Sequence, residues 1–175
     1  MIRYAGMILI AASCTAGGFF FSDRIKYRLR QIESFIHFFE NIIGYIETYN
    51  YPVEKIFITY QAKNNGHGKN TGFFLEKLIK NGRVDGIYKN PWETSLRECA
   101  DEGLIFFTDE ELGVIKGFGE RLGDGRAEEQ AAHMKLYYGK LKKIYEKASE
   151  RELNLARLYR WSGGLTGIFV CILLM

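Results

Sequence analysis

Residues 23–49 read DRIKYRLRQIESFIHFFENIIGYIETY, and apolar side chains return there at every third or fourth position. Ile25, Leu29, Ile32, Ile36, Phe39, Ile43 and Ile46 mark one stripe, while Arg28, Arg30, Glu33 and Glu40 occupy the intervening face. That is the period of an amphipathic helix, not of a strand, whose apolar positions alternate. Phe35, Phe38 and Phe39 belong to the same stripe, and aromatic groups so placed serve a core more often than a ligand pocket.

The same helical logic extends in both directions. Before this stretch, Tyr4 to Ser22 (YAGMILIAASCTAGGFFFS) is nineteen residues without a charge. As a helix it reaches about 28 Å, close to the hydrocarbon thickness of a bilayer. Asp23, Arg24, Lys26, Arg28 and Arg30 follow at once, and basic flanks stay on the cytoplasmic side. At the other end Trp161 to Met175 (WSGGLTGIFVCILLM) is uncharged, preceded by Arg151, Arg157 and Arg160, with Tyr159 and Trp161 as an interfacial belt. It is short for a span, about 22 Å. Residues 1–22 are therefore expected to be an N-terminal transmembrane anchor, 23–160 a cytoplasmic helical domain, and 161–175 a C-terminal transmembrane segment. The competing reading takes the first segment as a signal: Arg3, an apolar run, and Ala11-Ala12-Ser13-Cys14 loosely resemble a signal peptide or lipobox. Against it, the apolar run continues through Phe19, Phe20 and Phe21, and the flank after it is basic. Ser13 with Gly17, and Gly163 with Gly167, have the small-xxx-small spacing that lets helices approach closely in lipid.

Between the ends, Pro52 suits the first turn of a second helix running through Ile56 and Ile58 to about Ala62. Lys63 to Gly72 (KNNGHGKNTG) has loop composition. A short helix follows from Phe73 to Asn81, ended by Gly82. Another opens at Pro91, carrying Trp92, Leu96 and Cys99 on one face, and closes near Gly103. Thr108 and Glu111 form a capping box ahead of Leu112, Ile115, Phe118 and Leu122. Gly123-Asp124-Gly125 is a turn. From Arg126 one last helix carries the broken stripe Ala131, Leu141, Ile144, Ala148, Leu155 and Leu158. The sum is an all-α bundle of about six helices, the first and last extending into the terminal segments.

Composition and motifs leave little room for chemistry. A net charge of +3 with 26% charged residues does not describe a nucleic-acid surface, and no basic-aromatic interleaving supports one. Of three cysteines, Cys14 and Cys171 fall in the apolar ends and Cys99 stands alone, which is no disulfide framework. His37, His67 and His133 lie in different elements with no ligand spacing, so no metal or other cofactor is expected. Gly68-Lys69 is a poor phosphate loop: Lys63 stands where its first glycine belongs, and Asn70 follows the lysine. Asp109-Glu110-Glu111 and Glu128-Glu129 sit at helix starts, where carboxylates meet the dipole favourably. No catalytic motif is present, and the chain is not expected to be an enzyme.

Several of these residues resemble the stage III sporulation protein AB family of endospore-forming bacteria. The run Leu112-x-x-Ile115-x-x-Phe118-Gly119-x-x-Leu122-Gly123 is similar to that family's helix and turn, with Gln130 and Leu136 matching its next helix. The ending Tyr159-Arg160-Trp161-Ser162-Gly163-Gly164 before an apolar tail is also similar. So are Gln31-Ile32 after the basic segment and Pro91-Trp92-x-x-Ser95-Leu96. The family usually follows its Leu-Gly with a hydroxyl residue and then Asp, where this chain has Asp124-Gly125, and the Asn64–Lys69 loop is unusually rich in Gly and Asn. The resemblance implies a non-enzymatic platform or scaffold subunit, similar to the platform protein of type II secretion and type IV pilus systems. Its setting would be a channel complex in the mother-cell membrane around the forespore. Implied partners are a cytosolic secretion-type ATPase of the same sporulation operon, other membrane subunits of the channel, and a second copy of the chain as a homo-oligomer. The alternative, from the signal reading, is an extracytoplasmic lipoprotein or binding module with residues 1–14 as signal.

Overall fold

The computed structural model describes residues 2–49, 52–63, 69–85 and 89–174. Toward both ends side chains are described at single positions only, Ser13 and Phe20 among them at the start and Trp161, Leu165 and Phe169 at the end. The described residues form six helices and no strand: α1 (Ile2–Tyr49), α2 (Val53–Lys63), α3 (Lys69–Asp85), α4 (Lys89–Asp101), α5 (Asp109–Gly119) and α6 (Ala127–Leu174). They fall into two compact units. One comprises residues 30–145; the other joins residues 1–29 to 146–175.

The core of the 30–145 unit grows from the α1 stripe. Ile32, Phe35, Phe38, Phe39 and Ile42 are fully buried, with Ile36, Ile43 and Ile46 nearly so. Helices α2 to α5 supply the other wall, with α2 packed on α3, α3 on α4 and α4 on α5. Phe38 meets Phe57 and Tyr60 of α2, Phe35 meets Phe74 of α3, and Phe39 stacks on Phe118 of α5 with centroids 3.6 Å apart. Burying one such ring contributes about 1.5–3 kcal/mol. The aromatic stripe is core, as its spacing implied.

Most helix limits follow local rules. Val53 opens α2 directly after Pro52, whose carbonyl accepts from the Ile56 amide at 3.2 Å. Pro91 stands third in α4, where a missing N–H breaks no helical bond. Several limits differ from expectation: α4 begins at Lys89, two residues before Pro91, and Lys69 to Gly72, expected in a loop, are helical. Helix α3 starts at Lys69 and runs through Gly82, which is buried in its interior rather than ending it. The packing against α4 continues the helix past that glycine: Asn81 donates from Nδ2 to Ser95 Oγ of α4 at 3.0 Å. Helix α5 stops at Gly119, before Leu122. The tighter bonds Glu120 N to Gly117 O and Leu122 N to Gly119 O then carry the chain around, leaving Leu122 2% exposed. Gly123 and Gly125 take φ +82° and +80°, a region costly for any residue with a Cβ, so the Gly-Asp-Gly turn is as read.

The second unit holds only stretches of α1 and α6. Ser22 and Leu29 are buried in it, and Arg28 Nη1 donates to Glu152 Oε1 at 2.6 Å. With no third element among the unit's described residues, large apolar groups stay uncovered. Leu155 and Leu158, expected on an inward stripe, are 43% and 64% exposed. Among the described residues no helix is long and apolar enough to cross a membrane. The side chains of most of residues 1–22 and 161–175, where the two spans were placed, lie outside those described.

Candidate functional site

The motif residues Leu112, Ile115, Phe118, Gly119, Leu122, Gly123 and Gln130 converge on one feature, the wedge made by α5 and the turn after it. Its start is held locally. Thr108 Oγ1 accepts from the Glu111 amide at 3.4 Å, and Glu111 Oε2 accepts from the Thr108 amide at 2.8 Å, the capping box read from the sequence. Its inner face presents Ile115 and Phe118, both fully buried, while Leu112 is half-buried.

Two glycines let the wedge close on its neighbours. At Gly119 a Cβ would fall on the Cδ1 and Cγ of Trp92, and at Gly117 on the ring of Tyr137 from α6. Trp92 is 1% exposed, and its Nε1 donates to the Ile115 carbonyl at 3.0 Å. The indole thus lies against backbone on one side and is ringed by Phe38, Phe74 and Phe118. His133 of α6 reaches the Gly117 carbonyl, which also accepts from Glu120 N, its Nε2 at 2.9 Å, and its ring packs on Tyr137. That makes His133 a joint between α5 and α6.

Two buried glutamines secure the connections on either side. Gln31, 0% exposed on α1, donates from Nε2 to Leu104 O at 2.6 Å and accepts from Phe106 N at 3.0 Å. Gln130 on α6 accepts from Gly123 N at 3.2 Å and donates to Gly125 O at 3.1 Å. In each case one side-chain amide satisfies a donor and an acceptor of a loop backbone, which would otherwise be stranded without partners. The sequence marked both residues through the family resemblance; their clamping role had no local signal.

Among the described residues the remaining titratable groups gather into no reactive set. His37 is exposed, 3.8 Å from Glu40, and His67 lies outside the described residues. Among the described residues no cluster of three or more His, Cys, Asp or Glu is placed to hold a metal ion. Burial pushes the Cys99 thiol up to about 11, away from a reactive thiolate. Burial likewise raises Tyr60, opposed by its hydrogen bond with Thr71. Asp109, Glu110 and Glu111 occupy the first turn of α5, and Glu128 and Glu129 that of α6. The Gly68-Lys69 segment falls on the edge of the undescribed residues 64–68. Of the small residues at lipid-packing spacing, Ser13 is exposed and a Cβ at Gly17 meets nothing within 4 Å; the surroundings of Gly163 and Gly167 lie outside the description.

Fold and site together define an all-α helical protein in which buried Gln31 and Gln130 close loops and Ser95 and Trp92 join helices. The chain belongs to the stage III sporulation protein AB family, whose sequence profile matches residues 3–175. The solved structure of a stage III sporulation protein AB has the same fold: TM-score 0.59 at 22% identity, covering 73% of this chain and 98% of that one. No curated protein matches the sequence. Membership places the chain in sporulation and among proteins that act with protein partners in a complex; the family is not one of known enzymes.

Proposed function

We propose that this chain is a membrane-anchored, non-enzymatic platform subunit of a secretion-like channel between mother cell and forespore. In this reading residues 1–22 and 161–175 are the anchors, and residues 23–160 face the mother-cell cytoplasm and dock a cytosolic ATPase. One observation carries the anchoring: large apolar groups stand uncovered on the uncharged ends and on the turn leading into the second of them. Phe20 is 68% exposed, and Leu158, Trp161, Leu165 and Phe169 are 64–70% exposed. Spaced three and four apart, the last four share a face of α6. Water-soluble surfaces rarely leave such a run bare, whereas acyl chains cover it. The ATPase and the other channel subunits enter through the family resemblance. A domain whose polar groups hold helices in place suits docking better than catalysis.

A topology reporter active only outside the membrane, fused after residue 100, is expected to be silent. Activity there would overturn the platform reading in favour of the extracytoplasmic module. Co-purification of the full chain with the operon's ATPase from membranes tests the partner; failure of the wild-type chain to retain it would remove that claim.

A further inference from the structure

We propose that the outward face of α6 in the 30–145 unit binds a second copy of this chain, through the acidic surface at the α4–α5 connection. Leu136, Lys140 and Lys143 recur at helical spacing on that face, with Lys142 beside them, and all four are exposed. Three lysines elsewhere in the unit meet carboxylates: Lys77 reaches Glu98 and Glu102, Lys116 reaches Glu93, and Lys135 reaches Glu47. Lys142 and Lys143 have no such partner among the described residues, and Lys140 has only the face of Tyr137, 4.6 Å away. Like charges three residues apart, as at Lys140 and Lys143, weaken a helix rather than support it. A local cost without a compensating contact marks a surface whose partner lies outside the fold.

The complement is on the same chain. Asp101 ends α4 and Glu102 directly follows it, where carboxylates oppose the helix dipole, and Asp109 and Glu110 begin α5; all are exposed. Lys77 offsets Glu102 at 2.7 Å, but Asp101, Asp109 and Glu110 meet no cation among the described residues. Between them Phe106 is 36% exposed, and Leu136 on the basic face is 56% exposed. Each surface thus pairs one apolar anchor with an excess of one charge, which suits a protein partner more than a uniform polyanion. Because the two surfaces differ, the contact is head-to-tail, the kind that closes into rings or runs on as an array. The inference deepens the assembly-subunit reading by naming one partner, and is tested apart from the ATPase.

Donor- and acceptor-labelled full chains in vesicles of neutral lipid report association by energy transfer. Lys140→Glu with Lys143→Glu is expected to weaken it about tenfold or more, and so is Asp109→Lys with Glu110→Lys. Mixing the two variants should restore it, and raising salt should weaken the wild type. Unchanged transfer in either variant overturns the proposal, as does a mixture that stays dissociated. Transfer insensitive to the reversals, with loss of binding to anionic vesicles, would assign the lysines to lipid headgroups instead. Retained ATPase co-purification in a dissociated variant separates this contact from that partner.

Discussion

Gly119 lies so close against Trp92 that the indole occupies the place where a Cβ would project. The indole is anchored there by its bond to Ile115 O, one turn earlier in α5, so it cannot swing away without losing a buried hydrogen bond. Gly119→Ala is therefore expected to destabilise by at least about 1–3 kcal/mol, the usual scale of overpacking. Gly113→Ala, on the same helix with nothing within 4 Å, should be neutral or stabilising by up to about 1 kcal/mol. Denaturant unfolding followed by tryptophan fluorescence compares the pair; equal midpoints would refute the account. Gly117→Ala should fall between them, since the half-buried Tyr137 ring can give way.

Gln31 holds the α4–α5 connection by both ends of its amide. Gln31→Leu keeps the volume but strands Leu104 O and Phe106 N, at a cost of about 2–4 kcal/mol for the two groups. Hydrogen exchange should show the Phe106 amide losing protection ahead of the α5 interior. Protection equal to wild type at that amide would mean the clamp is dispensable.

Cys99 should resist alkylation in the folded chain. In a Cys14→Ser, Cys171→Ser background, its rate at pH 8 is expected to rise sharply on unfolding, because burial lifts the thiol from 9.0 to about 11. The pH dependence has a definite sign. The folded state holds the proton longer, so this group's contribution is complete below about 9 and declines as pH climbs toward 11. A rate in the native chain matching the unfolded one would contradict the burial.

Arg28 and Glu152 join α1 to α6, with side chains 22% and 19% exposed. Glu152 Oε2 is buried without a hydrogen-bond partner among the described residues, so removing the arginine leaves a poorly solvated carboxylate. Arg28→Met is expected to cost about 1–2 kcal/mol after allowance for partial solvent screening, and Arg28→Met with Glu152→Leu less than that. A double-mutant cycle on thermal unfolding measures the coupling; strictly additive losses would show that the pair is not coupled.

The Thr108 box is the most local of these devices. Thr108→Ala should cost about 1 kcal/mol and fray the first turn of α5, visible as faster exchange at the Glu111 amide. Glu111→Gln should preserve most of the cap, because the amide oxygen still accepts from Thr108 N.

Helical periodicity, proline and glycine positions and the Ser/Thr–x–x–Glu pattern were sufficient for six helices in the right order. These signals act within a few residues, so they survive in a bare sequence. The α1 stripe was legible for the same reason: Ile32, Phe35, Phe39, Ile43 and Ile46 repeat at the helical period whatever covers them. Gly82 was misleading because its local meaning, a helix stop, was overruled by the packing of α3 on α4. Leu155 and Leu158 misled in the opposite sense, having the spacing of a core stripe in a unit with nothing described to cover them.

The wedge was legible as a list of residues but not as a device. Thr108 and Glu111 are three positions apart, and their bond follows from helix geometry alone. Gln31 and Leu104 are 73 positions apart, Trp92 and Ile115 are 23, and no period connects them. The sequence by itself determined which segments are helical, where they are capped, and that two uncharged stretches end the chain, because each depends on neighbours along the backbone. Only the tertiary structure decided that Gly117 and Gly119 make room for Tyr137 and Trp92, and that Gln31 and Gln130 close loops. Close approach and hydrogen-bond satisfaction between distant segments exist only once those segments have met.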